Sequence, residues 1–334
     1  MQIPQPYLLF LGDVTDPLSA KTAKGILQWR PQMCTGQLRL TQETVSLGIT
    51  DLSLAKAKER GAKTLVVGTA NAGGFISQSW LATLQEAIEL GFNIASGMHQ
   101  RLNDFPALSN AASIHGCQLF DVRHYDQPLA VGTGKPRQGK RLLTVGTDCS
   151  VGKMYTSLAL EKEMNRQGLT AQFRATGQTG ILISGTGIAV DAVVADFISG
   201  AAEAISPDFT AHDWDVIEGQ GSLLNPSFAG VSLGLLHGSQ PDALVLCHEI
   251  GRAHIRHLPH MSVPSIESTL EANRMAASLT NPNTKFVGIC LNTSAIEESD
   301  ALVLCQQWEQ QYKLPVTDPV RFGVSTIVDK LHSI

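Results

Sequence analysis

The segment that decides the fold reads Arg141-Leu-Leu-Thr-Val-Gly-Thr-Asp-Cys-Ser-Val-Gly-Lys153. Its apolar run ends at Gly146, Gly152 and Lys153 follow after a short polar stretch, and an amphipathic segment then continues to Gly168. Apolar strand, glycine-rich turn and helix in this order are typical of a phosphate-binding loop. The sequence therefore predicts a strand, a phosphate loop and a helix.

A polyphosphate is the ligand that such a loop suits best. Its glycines let consecutive backbone N–H groups point into one cavity, the helix N-terminus adds partial positive charge, and Lys153 reaches the same anion. The pattern departs from G-x-x-x-x-G-K-[ST] at its last position, where Met154 replaces the hydroxyl that binds Mg²⁺. We therefore expect phosphate binding, whereas the motif does not predict nucleotide hydrolysis.

Length and composition indicate a globular protein with two domains. The chain has 334 residues, of which 43% are hydrophobic and 16% charged, and its net charge is −5. The acidic balance, without a basic run, argues against nucleic acid as a partner, and no apolar run is long enough to cross a membrane. Small molecules are the expected partners, and the apolar composition favours a homo-oligomer.

The six cysteines are scattered and form no C-x-x-C pair. The N-terminus shows no basic segment followed by an apolar one, as a secretory signal would. Both observations fit a reducing environment, so we expect a cytoplasmic protein.

The first part of the chain alternates strand-like and helix-like segments. Its strand-like runs are Tyr7–Leu11, Thr64–Val67, Asn93–Ala95 and Phe120–Arg123. Such alternation predicts a parallel sheet with helices on its faces. The segment 124–140, rich in glycine and proline, reads as a linker, so we expect a Rossmann-like domain over residues 1–135.

The second domain, residues 136–334, begins at the phosphate loop and is expected to be P-loop NTPase-like. Its later strand-like runs are Ala171–Ala175, Asp191–Asp196, Trp214–Ile217, Asp242–Cys247 and Lys285–Leu291. The segment Thr176-Gly-Gln-Thr-Gly180 reads as a small polar loop. Two α/β domains, each with a parallel sheet, are thus the predicted fold.

Two candidate catalytic groups follow strands of this second domain. Glu218 comes directly after Trp214–Ile217 and His248 directly after Asp242–Cys247. An acidic residue at the end of a parallel strand near a phosphate loop commonly coordinates Mg²⁺. Glu218 is therefore a metal ligand if the reaction needs Mg²⁺, and His248 has the unperturbed pKa best suited to a general base.

Several longer strings resemble known sequences. The phosphate loop together with Glu218-Gly-Gln-Gly221 is similar to phosphate-loop enzymes related to dethiobiotin synthetase. Arg174-Ala-Thr-Gly-Gln-Thr-Gly180, Asp215-Val-Ile-Glu-Gly-Gln-Gly-Ser222 and Leu291-Asn-Thr-Ser294 resemble a bacterial family catalogued as a domain of unknown function. One branch of that family comprises D-glutamate N-acetyltransferases, and the resemblance spans essentially the whole chain.

The resemblance implies transfer of an acetyl group from acetyl-CoA to the amino group of D-glutamate, as a step of D-glutamate catabolism. The phosphate loop would hold the phosphates of coenzyme A, which needs no hydroxyl on Mg²⁺ and so accounts for Met154. The expected residues for this bound group are Gly146, Thr147, Asp148, Cys149, Ser150, Val151, Gly152, Lys153, Met154 and Tyr155.

The reaction requires a base for the amine and donors for the two carboxylates of glutamate. The candidate bases are His248, Glu218 and Asp148, and the sequence leaves the choice among them open. The candidate substrate-binding residues are Arg174, Gln178, Thr179, Arg252 and Arg256.

Two other functions remain open from the sequence. An ATP- and Mg²⁺-dependent kinase or ligase acting on a carboxylate would need Thr147 or Thr156 to replace the missing hydroxyl, and Glu218 to hold the metal. A nucleotide-binding protein without catalytic activity would use Lys153 and show no turnover.

Overall fold

The computed structural model describes residues 2–17, 19–70, 73–211 and 213–334. Its strands are β1 (Tyr7–Gly12), β2 (Cys34–Arg39), β3 (Thr64–Val67), β4 (Asn93–Ser96), β5 (Leu119–Asp121), β6 (Lys140–Gly146), β7 (Ala171–Arg174), β8 (Trp214–Ile217), β9 (Ala243–Glu249), β10 (His254–Ile255), β11 (Leu258–Ser262), β12 (Lys285–Asn292) and β13 (Val316–Thr317). Its helices are α1 (Lys21–Trp29), α2 (Leu54–Glu59), α3 (Leu81–Glu89), α4 (Pro106–His115), α5 (Lys153–Arg166), α6 (Gln178–Ser184), α7 (Ile198–Ile205), α8 (Ala229–Ser239), α9 (Ile266–Ser278), α10 (Glu298–Tyr312) and α11 (Ser325–Leu331).

The chain forms two compact units, and the first contains a segment taken from the middle of the second. Unit 1 consists of Met1–Asp126 and Gly177–Ala189, and unit 2 of Gln127–Thr176 and Val190–Ile334. Each unit has its own parallel sheet. The predicted α/β class with two parallel sheets is thereby confirmed.

Unit 1 is built on a five-stranded parallel sheet in the order β2-β1-β3-β4-β5. Strands β1, β3 and β4 are buried along almost their whole length, as expected for central strands covered on both faces. Right-handed crossovers place α1 on one face and α2, α3 and α4 on the other. The crossovers of unit 1 alone therefore leave the α1 face bare over β3, β4 and β5.

Helix α6 covers the face that the crossovers leave bare. It packs against α1, and its apolar residues Ile181, Leu182 and Ile183 are at most 1% exposed. Burying a branched apolar side chain of this size stabilises a fold by about 1.5–3 kcal/mol. Gly185, at φ +78°, ends the helix in the left-handed conformation that glycine adopts at low cost. The inserted segment is thus part of the core of unit 1.

Unit 2 is built on a six-stranded parallel sheet in the order β13-β12-β9-β6-β8-β7. Strand β6 lies in the middle, with β8 on one side and β9 on the other. Strand β7, which follows β6 in the sequence, pairs with β8 and not with β6. The connection from β6 to β7 therefore runs toward one edge of the sheet, and the connection from β8 to β9 runs toward the other. Ligands bind at such positions in open parallel sheets.

Two local expectations were wrong, and one strand was not predicted. The segment 191–196 forms short 3₁₀ turns and no strand, with Val194 67% exposed, because it runs over the surface of unit 2. The predicted loop at residues 176–180 already contains the first turn of α6. Strand β2 was not predicted, because this edge strand fully buries only Gly36 and Gln37 and shows no apolar run.

Within the described residues, no helix is both long and apolar enough to cross a membrane.

Candidate functional site

The carboxyl ends of β6, β8 and β9 bring together the groups that the sequence singled out in unit 2. β6 leads into the phosphate loop, β8 ends immediately before Glu218, and β9 contains His248 near its end. Gly146 pairs with Cys247 in the sheet, and the next residue, Thr147, donates its N–H to the Cys247 carbonyl at 3.1 Å. The phosphate loop and His248 therefore start from adjacent positions on neighbouring strands.

The phosphate loop is longer than the G-x-x-x-x-G-K motif. Five residues, Thr147 to Val151, separate Gly146 from Gly152, which corrects the simple match to that motif. Two residues of this longer loop adopt left-handed backbone conformations, Ser150 with φ +56° and Gly152 with φ +103°. Helix α5 begins directly after Gly152, so its unpaired N–H groups face the loop.

Lys153 is folded back into the loop. Its side chain is 7% exposed, and its Nζ donates to the Asp148 carbonyl at 2.8 Å. A Cβ on Gly219 would lie 3.0 Å from the Lys153 Cδ and 1.7 Å from the Thr144 carbonyl, so only glycine fits beside the lysine stem. Burial lowers the pKa of Lys153. An entering phosphate can accept from the ammonium in place of this single loop carbonyl.

Asp148 is a fully buried carboxylate that holds the loop together. Its Oδ1 accepts from the N–H of Cys149 at 2.7 Å and from Asn225 Nδ2 at 2.8 Å. Its Oδ2 accepts from Arg252 Nη1 at 2.9 Å and from the N–H of Arg256 at 2.7 Å. Burial raises the pKa of Asp148, but these hydrogen bonds outweigh burial and lower it overall. Four donors and a low pKa suit an anchoring role better than that of a general base.

Arg252 braces the phosphate loop from outside. Its Nη1 also donates to the Cys149 carbonyl at 2.6 Å, its Nη2 donates to the Ser150 carbonyl at 3.3 Å, and Glu249 forms an ion pair with it. Its guanidinium is therefore occupied by the protein. The sequence predicts that Arg252 binds substrate, whereas its contacts favour a structural role.

Arg256 differs from Arg252 although both contact Asp148. Only its backbone N–H is engaged there, at the start of the turn between β10 and β11. Its side chain is exposed and makes no hydrogen bond or ion pair with any residue that the structure describes. An arginine held beside a phosphate loop with its guanidinium exposed is suited to an anionic ligand.

Glu218 is 4% exposed and faces the segment that follows β7. Its Oε2 accepts from the N–H of Thr176 at 3.0 Å, and its carbonyl accepts from the Thr176 hydroxyl at 2.6 Å. The Thr176 hydroxyl also accepts from Gln220 Nε2 at 3.1 Å. These contacts fix the glycine turn after β8 beside Lys153.

His248 lies between the phosphate loop and α10. Its Nδ1 is 2.9 Å from the Thr147 hydroxyl, and its ring stacks on Trp308 with centroids 5.7 Å apart and planes 30° apart. Burial lowers the pKa of His248, and Arg252 lowers it further while Glu249 raises it. The imidazole is therefore neutral near pH 7, and when Nδ1–H donates to Thr147, Nε2 carries the lone pair of a base.

Cys149 does not have the environment of a reactive thiol. Burial raises its pKa, although Lys153 and the nearby arginines act in the opposite direction. A thiol that is protonated at neutral pH is a poor nucleophile. A covalent acetyl-cysteine is therefore not favoured.

The remaining predicted residues lie elsewhere. Arg174 donates from Nε to the buried carboxylate of Asp215 at 2.6 Å, and Asp215 in turn accepts from Ser206 at 2.6 Å. Gln178 and Thr179 belong to α6 in unit 1. Met154 and Tyr155 lie half-buried in the first turn of α5.

Three residues of the site were missed by the sequence analysis. Asn225 holds Asp148, Trp308 stacks on His248, and Thr176 binds Glu218. Trp308 lies in the polar second half of α10, between Gln307 and Glu309, and a bulky aromatic residue in that polar stretch was the signal that pointed to it. The other two are ordinary polar residues in loops and carry no periodic signal.

Comparisons with known proteins cover both halves of the chain. A family model described as the DUF1611 C-terminal P-loop domain of unknown function matches residues 130–328. A second, described as the DUF1611 N-terminal Rossmann-like domain, matches residues 36–125. The crystal structure of a DUF1611 family protein from Anabaena variabilis is 32% identical and superposes with a TM-score of 0.86, covering 99% of this chain and 100% of the other.

Two curated relatives extend the similarity to nearly the full length. A protein from Pseudoalteromonas named D-glutamate N-acetyltransferase is 54% identical over 331 residues, which cover 99% of this chain and 100% of the relative. A protein of the same name from Tritonibacter scottomollicae is 48% identical over 332 residues, with the same coverage.

Proposed function

The chain belongs to the DUF1611 family, and from that premise we propose that it is an acyltransferase that moves the acetyl group of acetyl-CoA to the amino group of D-glutamate. Both curated relatives carry this activity as their name and align over almost the whole chain. The family resemblance inferred from the sequence motifs is thereby confirmed. Acetyl-CoA as the acyl donor is the more specific part of the proposal.

One observation carries the choice of donor. The loop supplies a buried lysine and the start of a long helix for phosphates, yet it places Met154 where Mg²⁺-dependent enzymes have a hydroxyl. The Thr147 hydroxyl contacts His248, and Thr156 is buried against Cys247 at 3.4 Å. The hydroxyls of Thr147 and Thr156, which could replace the hydroxyl absent at Met154, therefore both contact other side chains. The phosphates of coenzyme A need only the cradle, with Lys153 and Arg256 as the cations.

The chemistry assigns distinct tasks to the residues of unit 2. The neutral amine of D-glutamate forms a C–N bond to the acetyl carbon, the C–S bond breaks, and the CoA sulfur leaves as a thiolate. A base takes the proton that the amine loses, and we assign this task to His248, because its imidazole is neutral and held by Thr147 and Trp308. Asp148 and Arg252 keep the loop in the conformation that receives phosphate.

This assignment predicts the acidic limb of the pH–rate profile. The neutral imidazole is the active form, so activity is complete above the pKa of His248 and is lost as the pH falls through it. Because burial lowers that pKa from 6.5, the midpoint of the limb is expected below pH 6.5. We expect His248→Asn to reduce kcat/KM and to remove this limb.

Measurement of kcat/KM between pH 4.5 and 9 checks this prediction. If His248→Asn keeps an acidic limb with the same midpoint, His248 is not the base, and Glu218 becomes the candidate. The exposed His260→Asn serves as the control and is expected to leave both the rate and the limb unchanged.

The proposed activity is tested by incubating the protein with acetyl-CoA and either D- or L-glutamate. Free thiol release and the mass of the product are followed, with a parallel sample that contains ATP and Mg²⁺. We expect thiol release and N-acetyl-D-glutamate in the D-glutamate sample. Metal-dependent ADP formation without acetylation would show that the protein is a kinase or ligase. The absence of a reaction in every sample would indicate a nucleotide-binding protein without catalytic activity.

A further inference from the structure

We propose that unit 1 holds the acyl acceptor, with the carboxylates of D-glutamate bound at the carboxyl edge of its sheet by Thr69, Gln178 and Arg123. This inference rests on the proposed function, because the ligand is its acceptor substrate. It gives a role to the one part of the chain that the phosphate loop does not explain.

The strands of unit 1 end side by side at this edge. Val67, the last residue of β3, pairs with Ser96, which ends β4, and Ser96 pairs with Asp121, which ends β5. The ends of β3, β4 and β5 therefore lie in one row. Thr69 comes two residues after the end of β3, and Arg123 comes two residues after the end of β5. The edge beyond the carboxyl ends of parallel strands is where open α/β sheets bind ligands.

Thr69 provides the observation that points to a ligand. It is 3% exposed, and its hydroxyl has no hydrogen-bond partner among the residues that the structure describes. The backbone around it is satisfied, because the Gly68 carbonyl accepts from Ala23 at 2.8 Å and the Ala70 N–H donates to Ser19 at 2.8 Å. A buried hydroxyl without a partner destabilises a fold, so its retention suggests a group that binds it.

Helix α6 brings further polar groups to the same edge. A Cβ on Gly97, just after β4, would lie 3.1 Å from Gln178, and the Gln178 carbonyl oxygen is 3.4 Å from Arg123 Nη1. The Thr179 hydroxyl is 3.5 Å from that of Thr22, the residue before Ala23. Helix α6 thus contacts the end of β4 and the segment after β5 through Gln178, and α1 through Thr179, while α1 in turn contacts the segment that carries Thr69 through Ala23 and Gly68.

The chemistry of these groups suits a carboxylate. They comprise hydroxyls, one primary amide and one guanidinium, all of which donate hydrogen bonds to an anion. The one acidic residue at these strand ends, Asp121, is occupied, because its oxygens accept from the N–H of Leu102 at 2.7 Å and from Asn103 Nδ2 at 2.8 Å. A carboxylate is therefore the ligand chemistry that these groups suit, and the proposed function makes D-glutamate the carboxylate that we assign to the edge.

Thr69→Val tests the proposal without harming the fold. The substitution keeps the shape of the side chain and removes a hydroxyl that makes no hydrogen bond to any described residue, so Tm is expected to stay the same or rise. The KM for D-glutamate is expected to rise roughly 10-fold or more, because a donor to a charged group is lost, whereas the KM for acetyl-CoA is unchanged. Gln178→Glu, which places a carboxylate beside Arg123, is expected to raise the KM for D-glutamate in the same selective way.

Thr284→Val is the matched control. Thr284 is also a buried threonine whose hydroxyl has no partner in the described part of the chain, but it precedes β12 in unit 2. We expect no change in either KM. Wild-type transfer to D-glutamate with an unchanged KM in both Thr69→Val and Gln178→Glu would overturn the acceptor site alone. Failure of the wild type to acetylate D-glutamate would overturn the proposed function together with this site.

Discussion

Replacing Lys153 by methionine is expected to abolish detectable acetyl transfer and to weaken binding of coenzyme A roughly 10- to 100-fold. A charge-assisted hydrogen bond to phosphate contributes about 1.5–3 kcal/mol, and the lysine is the one cation inside the loop among the described residues. Methionine fills nearly the same volume, so no cavity forms. Because burial disfavours the charged form of Lys153, removing the charge should not lower Tm.

Calorimetric titration with coenzyme A measures the loss of binding independently of catalysis. Lys162→Met provides the control, since this lysine lies on the same helix but is exposed, and we expect wild-type affinity from it. Unchanged affinity in Lys153→Met would show that the loop does not hold the donor phosphates. A large fall in Tm would instead assign Lys153 a structural role.

Replacing Asp148 by alanine is expected to lower the free energy of unfolding by about 3–5 kcal/mol, the effect of leaving one partner of a buried ion pair without the other. The change removes the acceptor of four hydrogen bonds and leaves Arg252, whose side chain is only 15% exposed, without its buried partner. For a unit of this size the loss corresponds to a fall in Tm of roughly 6–20 °C. Urea unfolding and thermal scans both measure it.

The exposed pair Arg39–Asp51 supplies the comparison. Asp51 is 50% exposed, so Asp51→Ala is expected to lower the free energy of unfolding by less than about 1 kcal/mol. Equal effects of the two substitutions would show that the burial of Asp148 is energetically unimportant.

The stability that Asp148 provides should also depend on pH. Its folded pKa is lowered, so its contribution is complete above the unfolded value of about 3.9 and is lost as the pH falls through the folded pKa. The difference in stability between the wild type and Asp148→Ala should therefore be constant above about pH 5 and shrink in stronger acid.

The strands that carry the site were predictable because they are buried on both faces. Thr64–Val67 and Trp214–Ile217 were predicted with the bounds that the structure shows, since a short, mainly apolar run with a glycine one or two residues after its end has few other interpretations. Strand β2 was not predictable in this way, because an edge strand needs no apolar run. The apolar run of α6 was visible, but its membership of unit 1 was not, because sequence position placed it inside the second domain.

The phosphate loop was predictable from the sequence, whereas the contacts that decide its chemistry were not. Its glycines and its lysine lie close together in the sequence, so the motif can be recognised without the folded structure. The four donors to Asp148 come from the loop itself and from residues 77 to 108 positions further along the chain, and only the folded chain brings them together. The contact between Thr147 and His248 was not predictable for the same reason, because 101 positions separate the two residues in the sequence.

The insertion of α6 into unit 1 has a consequence for biosynthesis. A ribosome makes residues in order, so unit 1 lacks the helix that covers one face of its sheet until residue 189 has been made. By then β6, α5 and β7 of unit 2 have already been synthesised. The first unit therefore finishes folding only after part of the second has been synthesised. The nascent chain carries a bare apolar sheet face in the interval, which makes that interval a natural point for chaperone binding.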